Sequence, residues 1–362
     1  MDLKSYTLEE LEPYLRPLFS DPESTLPLSP LRLNSYLKNP RAEAIDPVLF
    51  ELRQEGELLA YRTLLPDCFF DRDGLPYRFA WLSGNWVRPD MRRKGLSTRL
   101  LEMAEELWQG RLMYTNYAPD SKALYDHTGR FRVLAKKEGV RFYLRSATEE
   151  LLGNRLGAGK LLHFADQVVN QLREGSIEKF KLREQDACIV KRIPNFDGSY
   201  SEIGNTIQKE SLFRRDKHIF NWALENPWVT QETGPALQYQ FSYRARRFEN
   251  ILYHFCCKDS GTEGLAWLVL HNRVLSLPYF FSETNQLLPC MAGTILRTMI
   301  DEDCTHTTLR NPELIESLSQ FKKIFLSTRK MPQLIFAHEK LGDLLPEKTV
   351  IQDGDGDVMF TG

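Results

Sequence analysis

The segment Val87-Arg88-Pro89-Asp90-Met91-Arg92-Arg93-Lys94-Gly95-Leu96-Ser97-Thr98 gathers the residue types that hold an anion. A strand-like run ends at Val87, a basic turn with one glycine follows, and apolar residues recur at helical spacing from Leu96. The first N–H groups of a helix lack an intrahelical acceptor and carry partial positive charge, so a helix start of this kind binds phosphate. Gly95 lets the backbone approach a ligand closely. Ser97 is small and adds a hydroxyl donor, while Arg92, Arg93 and Lys94 supply positive charge. A pyrophosphate suits such a turn. Taken alone, the same residues equally describe a plain helix start with solvated basic side chains.

A second segment, Asn116-Tyr117-Ala118-Pro119-Asp120-Ser121-Lys122-Ala123-Leu124-Tyr125-Asp126-His127-Thr128-Gly129-Arg130-Phe131, follows downstream. Read by itself, Tyr125 is a helix residue with its ring in the core and its hydroxyl at the surface, a common outcome for tyrosine.

Arg92-x-x-Gly95-x-Ser97, preceded by Val-x-Pro and followed by Leu100-Leu101, resembles the Arg/Gln-x-x-Gly-x-Gly/Ala signature of the GNAT superfamily of N-acetyltransferases. The downstream segment is similar to that family's Ser-x-x-Leu-Tyr-x-x-x-Gly-Phe, with Arg130 inserted between Gly129 and Phe131. The resemblance implies that Arg92, Arg93, Lys94, Gly95, Leu96, Ser97 and Thr98 hold the pyrophosphate of acetyl-CoA or another acyl-CoA. It implies that Asn85, Trp86 and Val87 line the pantetheine and thioester, with Asn116 and Ser121 near the pantetheine arm. It makes Tyr125 the general acid for the leaving thiolate, since a positioned phenol can donate that proton. The implied reaction is direct attack of an amine on the thioester carbonyl, polarised by backbone N–H near Val87. The strand before the turn offers no carboxylate as base; Asp67, Asp71, Asp73 or a water relay are the candidates, and His127 is read as structural.

These residues need elements to position them. The first 145 or so residues predict a helix over Leu8–Leu18, opened by a Thr7/Glu10 capping pattern, and a short helix around Leu31–Leu37. Strands are expected over Val48–Arg53, Leu58–Leu65, Tyr77–Val87 and Arg111–Tyr117, and helices over Leu96–Trp108, closed by Gly110, and Ser121–Asp126. Phe131–Val133 and Val140–Arg145 read as a final pair of strands. A charged helical segment with an apolar stripe at Leu161–Leu172 follows. Further strand-like runs at Gln238–Tyr243, Ile251–Cys257, Leu265–Leu270 and Val274–Phe281 precede a helix at Leu287–Ile300.

The fold class expected is mixed α/β: two GNAT-like domains, each a mostly antiparallel sheet flanked by helices. The expected boundaries are 1–147, a helical linker at 148–185, and 186–362. The second half has Ser282-Glu283-Thr284-Asn285 where the basic glycine turn would stand, and is therefore expected to be degenerate and not to bind CoA. Trp222, Pro227 and Trp228 add to its resemblance to tandem-domain relatives.

The net charge of −2 gives no overall basic field for nucleic acid or an anionic membrane. Six cysteines without a CxxC pair read as reduced thiols. With a polar, acidic N-terminus and no apolar run of about 20 residues, the expectation is a cytoplasmic protein, whose second half covers the active site, forms the acceptor pocket or mediates homodimer formation. The partner expected is a small-molecule or peptide amine, with no nucleic acid and no membrane.

Several other patterns carry no such weight. Gly153–Lys160 has the wrong glycine spacing for a nucleotide loop, with Leu161 where Ser or Thr should stand. Asp353, Asp355 and Asp357 alternate as in a calcium loop, but Val358 stands where glycine is needed, and a turn is expected. The seven histidines show no zinc spacing. Arg244-Ala245-Arg246-Arg247 reads as a solvated strand edge. Two competing readings remain: a non-catalytic acyl-CoA sensor, and a tandem-domain aminoacyl or peptidyl transferase, against which the Arg92–Ser97 turn and the charge both argue.

Overall fold

The computed structural model describes residues 1–115, 119–149, 159–181, 187–197, 211–233, 237–347 and 350–361. The elements run β1 (Asp2–Thr7), α1 (Leu8–Phe19), α2 (Pro30–Leu37), β2 (Pro47–Gln54), β3 (Glu57–Phe70), β4 (Pro76–Val87), α3 (Leu96–Leu107), β5 (Leu112–Thr115), α4 (Pro119–Thr128), β6 (Phe131–Lys137) and β7 (Val140–Tyr143). After them come α5 (Gly159–Lys181), β8 (Cys188–Ile193), α6 (Lys217–Glu225), β9 (Phe248–Cys257), β10 (Glu263–His271), β11 (Val274–Ser282), α7 (Leu288–Asp301), β12 (His306–Leu309), α8 (Pro312–Ser319), β13 (Ser327–Lys330) and β14 (Gln333–His338).

The strands form two seven-stranded sheets, in the orders β1-β2-β3-β4-β5-β14-β6 and β13-β7-β12-β11-β10-β9-β8. Each is mostly antiparallel, with β4 and β5 parallel in the first and β11 and β12 parallel in the second. The chain divides into two compact units. One holds residues 1–136, 208–245 and 333–361; the other holds 137–207, 246–332 and 362. The chain thus passes between units at 136/137, 207/208, 245/246 and 332/333, whereas the sequence reading placed boundaries at 147 and 185. No described helix is long and apolar enough to cross a membrane.

In the first unit, Thr7 and Glu10 close the expected capping box at the start of α1. Leu96, Leu100, Leu101 and Ala104 put one face of α3 against Phe50, Leu52, Ala60 and Leu64 of β2 and β3, the 3.6-residue stripe meeting the period-2 face of a sheet. Gly110 ends that helix in the left-handed region (φ +77°), its N–H reaching the carbonyl of Glu105 at 2.8 Å. A Cβ there would stand 2.9 Å from the His338 ring.

Two expectations change. β6 and β7 are not a pair: they lie in different sheets, and in the first sheet β14 stands between β5 and β6. β14, from about 220 residues downstream, brings the apolar Ile335 and Phe336 to the edge of β5, where they pair with Thr115 and Tyr114. Gln238–Tyr243 is not a strand; it makes one isolated bridge, Leu26–Tyr239. Its alternating aromatics pack on each other instead, Tyr239 against Phe241 at 5.7 Å and Tyr243 at 5.9 Å.

Candidate active site

β4 and β5 are paired in parallel only at Ala80–Leu112 and Trp81–Met113. Beyond Trp81, β4 runs on to Val87 with β3 as its pairing partner, so its two neighbours part company along this stretch. The ladder to β3 breaks as well: Thr63 pairs with Gly84 and Leu64 with Leu82, leaving Ser83 as the extra residue of a bulge. Bulges re-aim side chains. Gly84 is required there, since a Cβ would fall 2.4 Å from Thr63 Oγ1.

The end of β4 leads through Arg88–Met91 into the basic turn. Arg93 (φ +61°) and Gly95 (φ +77°) both take left-handed backbone, which turns the chain sharply so that α3 starts at Leu96. Gly95 is the N-cap, and no side chain caps the helix. The first-turn amides therefore have neither an intrahelical acceptor nor a capping oxygen. The space a Gly95 Cβ would occupy is open, with nothing within 4 Å. Arg92, Arg93, Lys94 and Gly95 are exposed, whereas the Leu96 side chain is buried in the core and leaves only its backbone to the turn. Arg92 Nε donates to the Val87 carbonyl at 3.3 Å, and Lys94 Nζ lies 3.4 Å from Met91 Sδ. Ser97 and Thr98 are half-buried in the first turn. Asn85 Nδ2 donates to Ser97 Oγ at 3.2 Å.

Trp86, next along β4, points to the opposite face and stacks on Tyr61 at 5.5 Å. The structure thus brings Asn85 and Ser97 together and sets the Trp86 ring apart from them. Asn116 lies outside the described residues, as does the side chain of Ser121.

Tyr125 sits in α4 at 5% exposure. Its ring lies 3.9 Å from that of Tyr114, which stacks in turn on Phe336 at 4.6 Å. Its hydroxyl accepts a hydrogen bond of 2.9 Å from Arg62 Nη1. Arg62, on β3 opposite Asn85, is fully buried. Its type was legible in the sequence, but a lone arginine in a strand carries no signal of this contact.

The aspartates considered as bases have other roles. Asp67 is buried, takes two hydrogen bonds from Arg215 (2.6 and 2.7 Å) and one from Arg41 (2.7 Å), and accepts from Trp81 Nε1 (2.8 Å). Burial alone would raise its pKa; the guanidiniums of Arg215 and Arg41 outweigh that and hold it well below the usual carboxylate range. Asp71 Oδ1 accepts the N–H groups of Asp73 and Leu75 at 3.0 and 2.8 Å, closing its own turn. His127 is exposed.

A carboxylate does reach β4, from the C-terminal segment: Ser83 Oγ donates to Asp357 Oδ2 at 2.6 Å and accepts from Arg32 Nη2 at 2.7 Å. The alternating aspartates near the C-terminus diverge in role, since Asp355 faces Arg215 at 3.1 Å while Asp357 faces the bulge.

The second sheet repeats the layout with different chemistry. β11 pairs in parallel with β12 over Val274–Ser276 and runs on to Ser282. The helix that follows starts from Leu287 and Leu288, which are 0% and 4% exposed, with Leu287 at φ −78°. Its start is an apolar plug rather than an open, basic turn.

A mixed sheet that opens beyond one parallel pair, directly before an uncapped glycine turn, is the arrangement of this α/β domain. Residues 8–129, about a third of the chain, match the model of the Acetyltransferase (GNAT) family. The fold is similar to that of a conserved protein of unknown function, a probable N-acyltransferase, from Enterococcus faecalis V583 (11% identity, 93% of this chain and 73% of that one, TM-score 0.52). It is similar too to Saccharomyces cerevisiae N-myristoyltransferase with bound myristoyl-CoA (12% identity, 93% and 78%, TM-score 0.51). No curated protein sequence matches the chain.

Proposed function

We propose that this protein moves an acetyl group from acetyl-CoA to a primary amine on a small molecule or peptide. The observation that carries the reading is the Gly95 turn: uncapped amides, open space at the glycine and three exposed cations at the point where β4 has left β5. Those residues fit a pyrophosphate. Arg93, Lys94 and the amides from Gly95 to Thr98 hold it, and Asn85 and Ser97 fix the strand end against the helix beside it. Bound acyl-CoA supplies the activated acyl carbon. Backbone N–H groups at the end of β4 orient the thioester, and Tyr125 holds the proton that the leaving sulfur needs. Asp357, through Ser83, supplies the carboxylate that β4 itself lacks for the acceptor amine. The apolar start of α7 supports one acyl-CoA site per chain, in the first unit.

Calorimetric titration with acetyl-CoA and with longer acyl-CoAs tests this reading and reports chain-length preference; the long-chain donor bound by the yeast enzyme of similar fold makes that comparison worth including. Saturable binding of a CoA thioester, followed by release of free CoA when primary amines are added, is the expected result. No heat with any CoA thioester would overturn it. Binding without turnover across a broad amine panel would favour a sensor.

A further inference from the structure

Arg62 is an unusual residue to find where it is. It is 0% exposed on the face of β3 that packs beneath α3, with apolar Leu64 and Ala60 flanking it on that strand. A guanidinium in such surroundings is costly unless paired. Among the described residues its hydrogen bond is to Tyr125 Oη, Nε and Nη2 are sealed from solvent without an acceptor, and the Glu105 carboxylate feels its charge without a salt bridge between them. The guanidinium carbon lies 5.7 Å from the Tyr125 ring centroid.

We infer that Arg62 is a positioning residue for acyl transfer, acting only through Tyr125: it aims the phenol proton at the leaving sulfur and stabilises the oxygen that gives it up. This rests on the proposed function above. A phenol oxygen has one proton to give and lone pairs to receive. By donating to that oxygen, Arg62 fixes the side from which it is approached and leaves the O–H hydrogen free for the cleft. A direct role in holding an anionic acyl group is disfavoured by the same geometry, because Nε and Nη2 are inaccessible. In the step itself the amine nitrogen forms a bond to the acyl carbon, and the carbon–sulfur bond breaks with its electron pair passing to sulfur. Tyr125 gives sulfur its proton, the proton lost by the amine passes to Asp357 through Ser83, and exchange with solvent then restores both groups. Charge develops on the Tyr125 oxygen only in that interval, which is when a preorganised cation beside it is worth most.

The test is a double-mutant cycle on the whole chain, comparing wild type, Arg62→Gln, Arg62→Lys, Tyr125→Phe and Arg62→Gln/Tyr125→Phe. Acetyl-CoA affinity is read by calorimetry. Rate is read as CoA release from acetyl-CoA with hydroxylamine, an acceptor too small to need a pocket. The expected result is a fall in kcat of about 10- to 100-fold for Arg62→Gln with affinity for acetyl-CoA kept within about threefold. Arg62→Lys should recover part of the rate. In the Tyr125→Phe background, Arg62→Gln should cost almost nothing further. If the two losses multiply, or if the acetyl-CoA affinity of Arg62→Gln falls in step with its kcat, Arg62 is merely structural and the inference is overturned. An unchanged rate in a folded Arg62→Gln variant overturns it too. A wild type that binds acetyl-CoA but never releases CoA overturns the proposed function and this inference with it, a failure distinct from an active wild type with indifferent variants. Should Arg62→Gln not fold, the Arg62→Lys pair in both Tyr125 backgrounds decides by the same criterion.

Discussion

Asn85 and Ser97 lie 3.2 Å apart, Nδ2 to Oγ, and so pin the last turn of strand β4 to the first turn of helix α3. A hydrogen bond across that junction fixes how the uncapped amides are presented, which is a matter of ligand affinity more than of folding. Ser97→Ala removes one bond of about 1 kcal/mol. We expect acetyl-CoA binding to weaken about three- to tenfold by calorimetry, with little change in melting temperature. An unaltered dissociation constant would remove Ser97 from the turn's function.

Gly95 allows a cleaner separation of strain from ligand contact. A methyl group there meets no protein atom within 4 Å, so Gly95→Ala adds only the cost of a side chain at φ +77°, about 1 kcal/mol. The same methyl stands where a phosphate would approach the amides. The expected outcome is a shift in melting temperature of a few degrees at most, alongside a loss of acetyl-CoA affinity well beyond tenfold. Equal affinity in the two proteins would mean the amides are not the anion site.

Asp67 is expected to matter for stability rather than turnover. It is the buried anion between Arg41 and Arg215, and removing one partner of such a network leaves an uncompensated charge worth about 3–5 kcal/mol. Asp67→Ala should therefore unfold the first unit at much lower denaturant. Because its native pKa lies below the unfolded value, the stability Asp67 contributes is present above the unfolded pKa and is lost as pH falls through the acid range. Denaturant melts from pH 7 downward check the sign.

His306 makes the second unit acid-sensitive at a milder pH. Burial, then the neighbouring Arg141, pushes its pKa down to about 4 from 6.5. Its Nδ1 meets Thr305 Oγ1 at 3.0 Å, and its ring lies 5.4 Å from that of Tyr143. The unfolded chain binds this proton first, so native stability should decline as pH falls from about 6.5 towards 4, by on the order of 1–3 kcal/mol. His306→Gln should flatten that decline; a variant with the same pH profile as wild type would count against the assignment.

What the sequence determined by itself was local. Arg92 to Thr98 turn and start a helix because Gly95 allows left-handed backbone and Leu96, Leu100 and Leu101 follow at helical spacing, all within a dozen residues of one another. Thr7 with Glu10 and the stop at Gly110 are legible for the same reason, as is the apolar start of α7. The tertiary structure alone decided what lies far along the chain. Arg62 meets Tyr125 across 63 positions, and Ser83 meets Asp357 across 274. Strand β14 completes the first sheet, while β6 and β7, adjacent in sequence, part into different sheets. Periodicity shows which face a residue occupies but not which distant element covers that face. A buried arginine looks like any surface arginine until the fold shows that water is kept from it and that its hydrogen bond goes to a tyrosine.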